Sequence, residues 1–275
     1  MMGSPSLVSP CGVITLTSDF GLRDPFVGVM KGCILARHPA AKLIDLTHEV
    51  LAHWPAEAGF WLARSYPWFP PGSVHVAVVD PGVGTARDIV LLASRGHLLL
   101  APDNGLLAPV KHSDAAAVAW RLTAQGMTRC GVGRTSATFH GRDIFAPLAA
   151  ELAAGRLTPE QVGDPIAELV PSWLDDPFVT EDRITGAIVT IDHFGNLITN
   201  IDSSMLTSFR EPVVHAGNLA LVLRRTYGDC QPGTALSLVN SFGVIEIAVA
   251  EGRAAELLGL SRGAPVVVRD GVRRR

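Results

Sequence analysis

Asp80 closes an apolar run, and Arg87 follows seven residues later across a loop that contains Gly82 and Gly84. The run Val76-Ala77-Val78-Val79 suits a strand buried on both faces. Pro81 removes a backbone donor and the glycines permit positive φ, so the strand must end at Asp80. A carboxylate at the carboxyl end of a buried strand stands where open α/β sheets place ligands. Burying an Asp–Arg pair is costly unless its geometry is good, which favours a site. A turn bearing a surface ion pair is the plainer reading, and both stay open on these residues alone.

Other residues could share such a site. Asp19, Asp24, Asp45 and Asp103 also stand near strand ends. Carboxylates there could hold a divalent metal or accept two hydrogen bonds from a ribose diol. Asp also caps turns, which is the reading adopted for Asp45 and Asp103. His48-Glu49 and His53 resemble a zinc motif, but a spacing of five rather than four sends the two rings to different helix faces, so no metal is expected. His140 sits at a break between Phe139 and Gly141, where its ring could face a pocket or merely cap a helix. Gly82-Val83-Gly84 and Gly131-Val132-Gly133 lack the third glycine of the dinucleotide fingerprint, which argues against a Rossmann cofactor site. Asp192-His193-Phe194-Gly195-Asn196 and Asn240-Ser241-Phe242-Gly243 place polar groups beside Phe and Gly, as a pocket wall or ordinary turns would.

The elements that must position these residues begin with strands at 13–17, 42–46 and 73–80, separated by helices at 26–37 and 55–66. That alternation predicts a largely parallel sheet flanked by helices. A hairpin follows at 89–93 and 97–101, then a strand at 117–122, an alanine-rich helix at 144–154 and a short helix from Thr158. Residues 173–183 are acidic and contain proline. Short strands and turns then dominate, which predicts a small all-β barrel-like unit. The expected division is an α/β domain over 1–171, a linker over 172–183 and a β domain over 184–275.

With 275 residues, 48% of them hydrophobic and 18% charged, the chain can bury a sizeable core. A net charge of -3 gives no basic field for nucleic acid, and Arg273-Arg274-Arg275 reads as a solvated terminus. The cysteines Cys11, Cys33, Cys130 and Cys230 are scattered, so buried thiols and a reducing cytoplasmic setting are expected. No leader pattern and no apolar run of membrane length are present, so neither secretion nor a membrane partner is expected.

Seven stretches, in order and nearly spanning the chain, together resemble the S-adenosyl-L-methionine (SAM) hydroxide adenosyltransferases. These adenosine-forming SAM hydrolases are relatives of the SAM-dependent fluorinase and chlorinase. The stretches are Thr17-Ser18-Asp19-Phe20-Gly21 with Asp24, Asp45-Leu46-Thr47-His48-Glu49, Val79-Asp80-Pro81-Gly82-Val83-Gly84-Thr85, Pro102-Asp103-Asn104-Gly105, Thr138-Phe139-His140-Gly141-Arg142-Asp143, and the two aromatic–amide turns above. The resemblance implies an N-terminal α/β domain, a C-terminal β-barrel-like domain and a homotrimer whose sites are shared between subunits. It implies a catalytic set of Asp80, Arg87 and His140, with Asp19 on the ribose. Asp24, Asp192 and Asn196 would meet the methionine end. Phe194, Ser241 and Phe242 would lie near adenine, and Phe139 would also contact the substrate. His53-Trp54 departs from the aromatic–acidic pair of the relatives, so His53 and Trp54 are both candidates for the ribose wall.

The implied reaction is attack of water on C5′ of SAM, giving adenosine and L-methionine. The sulfonium leaves as a neutral thioether and needs no general acid. The resemblance calls for no cofactor beyond the substrate. Three other readings are weighed against it: a halogenase of the same fold, which Asp80 disfavours by repelling a halide, a metal-dependent phosphoesterase, and a non-catalytic nucleoside-binding module.

Overall fold

A computed structural model describes residues 8–271, and the Arg273-Arg274-Arg275 cluster lies outside the described residues. The chain divides into two compact units, the first ending at Trp173 and the second beginning at Leu174.

The first unit contains β1 (Val13–Ser18), α1 (Phe26–Arg37), β2 (Lys42–Thr47), α2 (Pro55–Ser65), β3 (Val74–Val78), β4 (Ile89–Ser94), β5 (His97–Pro102), α3 (Ala108–Ser113), β6 (Val118–Leu122), α4 (Ala124–Arg129), α5 (Ala146–Ala153), α6 (Pro159–Val162) and β7 (Gly163–Ile166). Its seven strands form one sheet in the order β2-β1-β3-β5-β4-β6-β7. β2, β1, β3 and β5 run parallel, and β4, β6 and β7 extend the sheet in antiparallel pairs. The expected α/β domain with a largely parallel sheet is therefore present.

β-Branched and apolar residues make β1 and β3 fully buried strands. On one face Ile14, Leu16, Val76 and Val78 pack with Met30 and Ile34 of α1 and Leu148 and Leu152 of α5. On the other, Ala77, Val79, Leu99 and Ala101 pack with Leu62 of α2 and Val110 of α3. Emptying a Leu position in such a core typically costs about 2–5 kcal/mol, so packing fixes where β1 and β3 end. In register, Ser18 lies opposite Val78. The next residues out, Asp19 on one strand and Val79-Asp80 on the other, thus emerge side by side at the carboxyl edge of the sheet.

The second unit contains β8 (Phe178–Val179), β9 (Arg183–Ile191), β10 (Leu197–Asp202), β11 (Pro212–Ala216), β12 (Leu219–Arg224), β13 (Ala235–Val239), β14 (Val244–Val249), α7 (Ala254–Leu258) and β15 (Pro265–Asp270). The order β10-β14-β13-β12-β11-β15-β9, with β9 also paired to β10, closes a seven-stranded barrel. Ile188, Leu197, Val214, Ile245, Ile247 and Val268 fill it. Within the stretch expected as a linker, Phe178 and Val179 pair with Thr185 and Ile184, so part of that stretch is strand.

All four cysteines are free. The expectation of buried thiols holds for Cys130; Cys11 is exposed because it precedes the first buried strand, and Cys33 and Cys230 are partly exposed. No helix among the described residues is long and apolar enough to cross a membrane.

Candidate active site

The loop that follows β3 folds tightly enough to return Arg87 onto Asp80. Val83 N–H donates to Asp80 O at 3.1 Å, and Thr85 Oγ1 donates to Gly82 O at 2.7 Å. Arg87 Nε then donates to Asp80 Oδ1 and Oδ2, each at 3.0 Å, while Arg87 Nη2 bonds Asp80 Oδ2. The side chains of Arg87 and Asp80 are 11% and 4% exposed. The ion pair is therefore largely desolvated, the condition under which a two-pronged guanidinium–carboxylate contact fixes orientation.

Arg87 Nη2 also lies 2.8 Å from His140 Nδ1. A guanidinium can only donate, so Nδ1 must be the acceptor and His140 a neutral ring with its proton on Nε2. Burial, followed by the neighbouring Arg87 charge, pushes the His140 pKa below the ordinary histidine value. His140 immediately precedes a π-helical turn, Gly141–Phe145, of the kind often found at functional sites. That turn brings the Phe145 ring to 5.9 Å from the Arg87 guanidinium carbon. The 80–88 loop and the stretch before His140 also touch: Gly84 has φ 77° and its Cα faces the Ala137 carbonyl, leaving no room for a side chain.

A cleft of about 300 Å³ opens over this cluster, lined by Asp19, His53, Asp80, Phe139 and His140 among others. Asp19 Oδ2 accepts a hydrogen bond from His53 N–H at 2.9 Å. His53 has φ 63°, a backbone region that non-glycine residues enter rarely and at a cost. Phe20, Phe26 and Phe139 meet edge to face, with ring centroids 5.3–6.0 Å apart, and all three line the cleft. Anionic, neutral-histidine and aromatic surfaces thus share one opening.

Residues 14–163 match the SAM hydroxide adenosyltransferase N-terminal domain, and residues 186–267 match the C-terminal domain of the same family. The chain belongs to the SAM hydroxide adenosyltransferase family. A relative from Salinispora arenicola named (R)-S-adenosyl-L-methionine hydrolase is 38% identical, over 94% of this chain and 98% of its own. A relative of the same name from Thermus thermophilus is 37% identical, over 90% of this chain and 96% of its own. A solved structure, an uncharacterized conserved protein from Thermotoga maritima, superposes with a TM-score of 0.83 at 33% identity, covering 93% of this chain and 99% of that one.

In this adenosyltransferase-family chain the first unit brings Asp19, His53, Asp80, Arg87, Phe139 and His140 together. It does not bring Asp24 or Trp54 into the cleft lining. Asp24 is exposed in the turn before α1. The Trp54 ring turns away to meet Trp173 edge to face at 5.9 Å, which leaves His53 as the wall candidate that lines the cleft. In the second unit Asp192 Oδ1 accepts Asn196 N–H at 2.8 Å, and Asp192 Oδ2 accepts Asn196 Nδ2 at 3.2 Å. Phe194 is exposed. Asn240 Oδ1 accepts Phe242 N–H at 3.0 Å and so shapes the turn that presents Ser241 and Phe242. Phe20 and Phe26 were not among the expected site residues: Phe20 entered only as part of the 17–21 stretch, and Phe26 reads as an apolar position of the helix it begins. Among the described residues no three His, Cys, Asp or Glu side chains converge as a ligand set for a metal ion.

Proposed function

We propose that this chain hydrolyses SAM to adenosine and L-methionine, with water displacing the thioether from C5′. The observation that carries the reading is the desolvated Asp80–Arg87–His140 cluster at a cleft shared with Asp19. The water oxygen bonds to C5′ as the C5′–S bond breaks, and the electron pair of that bond stays on sulfur. The leaving thioether is neutral and takes no proton. One proton must leave the attacking water. Neutral His140 keeps its proton on Nε2 and holds the water as a donor, while Asp80, oriented by Arg87, receives the proton and passes it to solvent. Alignment of water, C5′ and sulfur supplies on the order of 7–11 kcal/mol of the barrier in well-oriented systems.

In this reading Asp19 grips the ribose 2′- and 3′-hydroxyls and His53 forms the ribose wall. The Phe20–Phe26–Phe139 cluster offers ring surface to the sulfonium cation, as aromatic groups do for onium ligands. Asp24, Trp54, Asp192, Phe194, Asn196, Ser241 and Phe242 keep the substrate roles that the family resemblance implies for them, in a homotrimer whose copies share sites. We take the (R) epimer at sulfur as the substrate, by similarity to the relatives named above. The test is chromatography of purified protein with each SAM epimer, with and without EDTA. Adenosine and methionine in equal amounts from the (R) epimer, unaffected by EDTA, is the expected result. No adenosine from either epimer overturns the reading.

A further inference from the structure

His48 belongs to no part of the chemistry described so far, yet it is 4% exposed and reaches the end of β1. Ser18 Oγ lies 2.7 Å from His48 Nδ1, and Ser18 is itself 2% exposed. Ser18 Oγ also accepts Phe20 N–H at 3.3 Å, so the His48 ring and the start of the 18–21 turn meet on one hydroxyl. Nε2 faces Asp45 Oδ1 at 3.0 Å, off the line of a hydrogen bond, and Lys31 Nζ holds the other Asp45 oxygen at 2.6 Å. The same histidine accepts Gly21 N–H on its backbone carbonyl at 2.8 Å. Residues 48–53 therefore clip the 18–21 turn at three points, two of them on His48 and the third at Asp19 Oδ2.

We propose that His48 is a positioning residue: its imidazole fixes Ser18 and, through the 18–21 turn, aims the Asp19 carboxylate into the cleft. This rests on the reading of Asp19 as the group that grips the ribose diol. Only two backbone bonds separate Ser18 Cα from the Asp19 nitrogen, so a rotation released at Ser18 is felt directly at the carboxylate. Asp80, Arg87 and His140 lie on other segments and are held by bonds to one another. Loss of the imidazole should then weaken ligand binding without slowing the chemical step.

The experiment measures adenosine and 2′,3′-dideoxyadenosine binding by calorimetry, and SAM turnover, for wild type, Asp19→Ala, His48→Phe, His48→Asn and Ser18→Ala. His48→Phe keeps the ring volume and removes both nitrogens; His48→Asn returns a polar atom near the position of Nδ1. His48→Phe should weaken adenosine binding by about tenfold, the scale of one lost buried hydrogen bond, and raise KM for SAM alike with kcat within about twofold. His48→Asn should restore most of the affinity, and binding of dideoxyadenosine should be the same in all variants. Equal losses on adenosine and dideoxyadenosine, a fall in kcat at constant KM, or no change in adenosine affinity would each overturn the proposal. If Asp19→Ala binds adenosine as wild type does, it is the diol reading of Asp19 that fails. If His48→Phe does not fold, Ser18→Ala removes the same contact from the other side and is held to the same outcomes.

Discussion

Arg87 serves Asp80 and His140 at once, and only the geometry of a guanidinium allows it. Nε spans both oxygens of Asp80, while Nη2 bonds one of them and also His140 Nδ1. A lysine would keep the charge and lose the fork. Arg87→Lys should therefore lower kcat by about 10²-fold, the usual scale for removing one preorganised donor, with KM little changed; a kcat near wild type would deny the fork its role. His140 gives the pH dependence. Burial, then the Arg87 charge, place its pKa below the ordinary 6.5. Above that value the ring is neutral and turnover should be flat. As pH falls through the lowered pKa, Nδ1 takes a proton, ceases to accept from Arg87, and two cations face each other. The kcat profile should show one acid limb centred below pH 6.5 and no alkaline limb from a general acid. The Asp80–Arg87 pairing was legible in the sequence because Pro81, Gly82 and Gly84 leave the chain little choice but to turn back. The bond to His140 was not, because 53 residues separate the partners and only the fold closes that distance.

At the scale of elements, two loops are locked by contact at Gly84, whose φ of 77° and closeness to Ala137 O exclude any Cβ. Gly84→Ala should separate the 80–88 loop from the stretch before His140, lowering kcat by about tenfold or more while the melting temperature falls only a few degrees. Kinetics and thermal melts on one preparation check it. The strands carry a second pH-sensitive group away from the cleft. Thr15 Oγ1 lies 2.8 Å from His75 Nδ1, and His75 Nε2 lies 3.2 Å from His97 Nδ1, with the Tyr66 and Phe69 rings alongside. Burial, then the His97 charge, push the His75 pKa down to about 3, and burial lowers that of His97. Because the folded pKa of His75 lies below the unfolded one, its stabilising contribution is complete above about pH 6.5 and is lost as pH falls toward 3, at about 1.4 kcal/mol per pH unit. Urea unfolding between pH 6.5 and 4 should show a shallower slope in His75→Leu than in wild type. β1, β3 and both hairpin strands could be read from runs of apolar and β-branched residues. α4 could not, because Gly126 sits inside it, nor β7, whose Pro165 is tolerated on the last strand of the sheet. The π-helical turn after His140 has no composition signal at all.

Across the whole molecule, each unit has its own core: helices on two faces of a sheet in the first, a barrel interior in the second. The closed barrel leaves none of its seven strands at an open edge. The division after Trp173 has an optical consequence. The chain has five tryptophans, Trp54, Trp61, Trp68, Trp120 and Trp173, and every one lies in the first unit. Indole emission therefore reports on the α/β unit alone, whereas far-ultraviolet circular dichroism sums both. Recorded together on heating, coincident curves would mean that the units melt as one, and any lag between them would isolate the barrel without a label. The Trp54–Trp173 pair sharpens this. It joins the residue next to His53 to the last residue of the first unit, at a separation where two indoles couple electronically. A near-ultraviolet couplet that disappears in Trp173→Phe, and shifts when adenosine is added to wild type, would give the cleft a spectroscopic signal native to the chain.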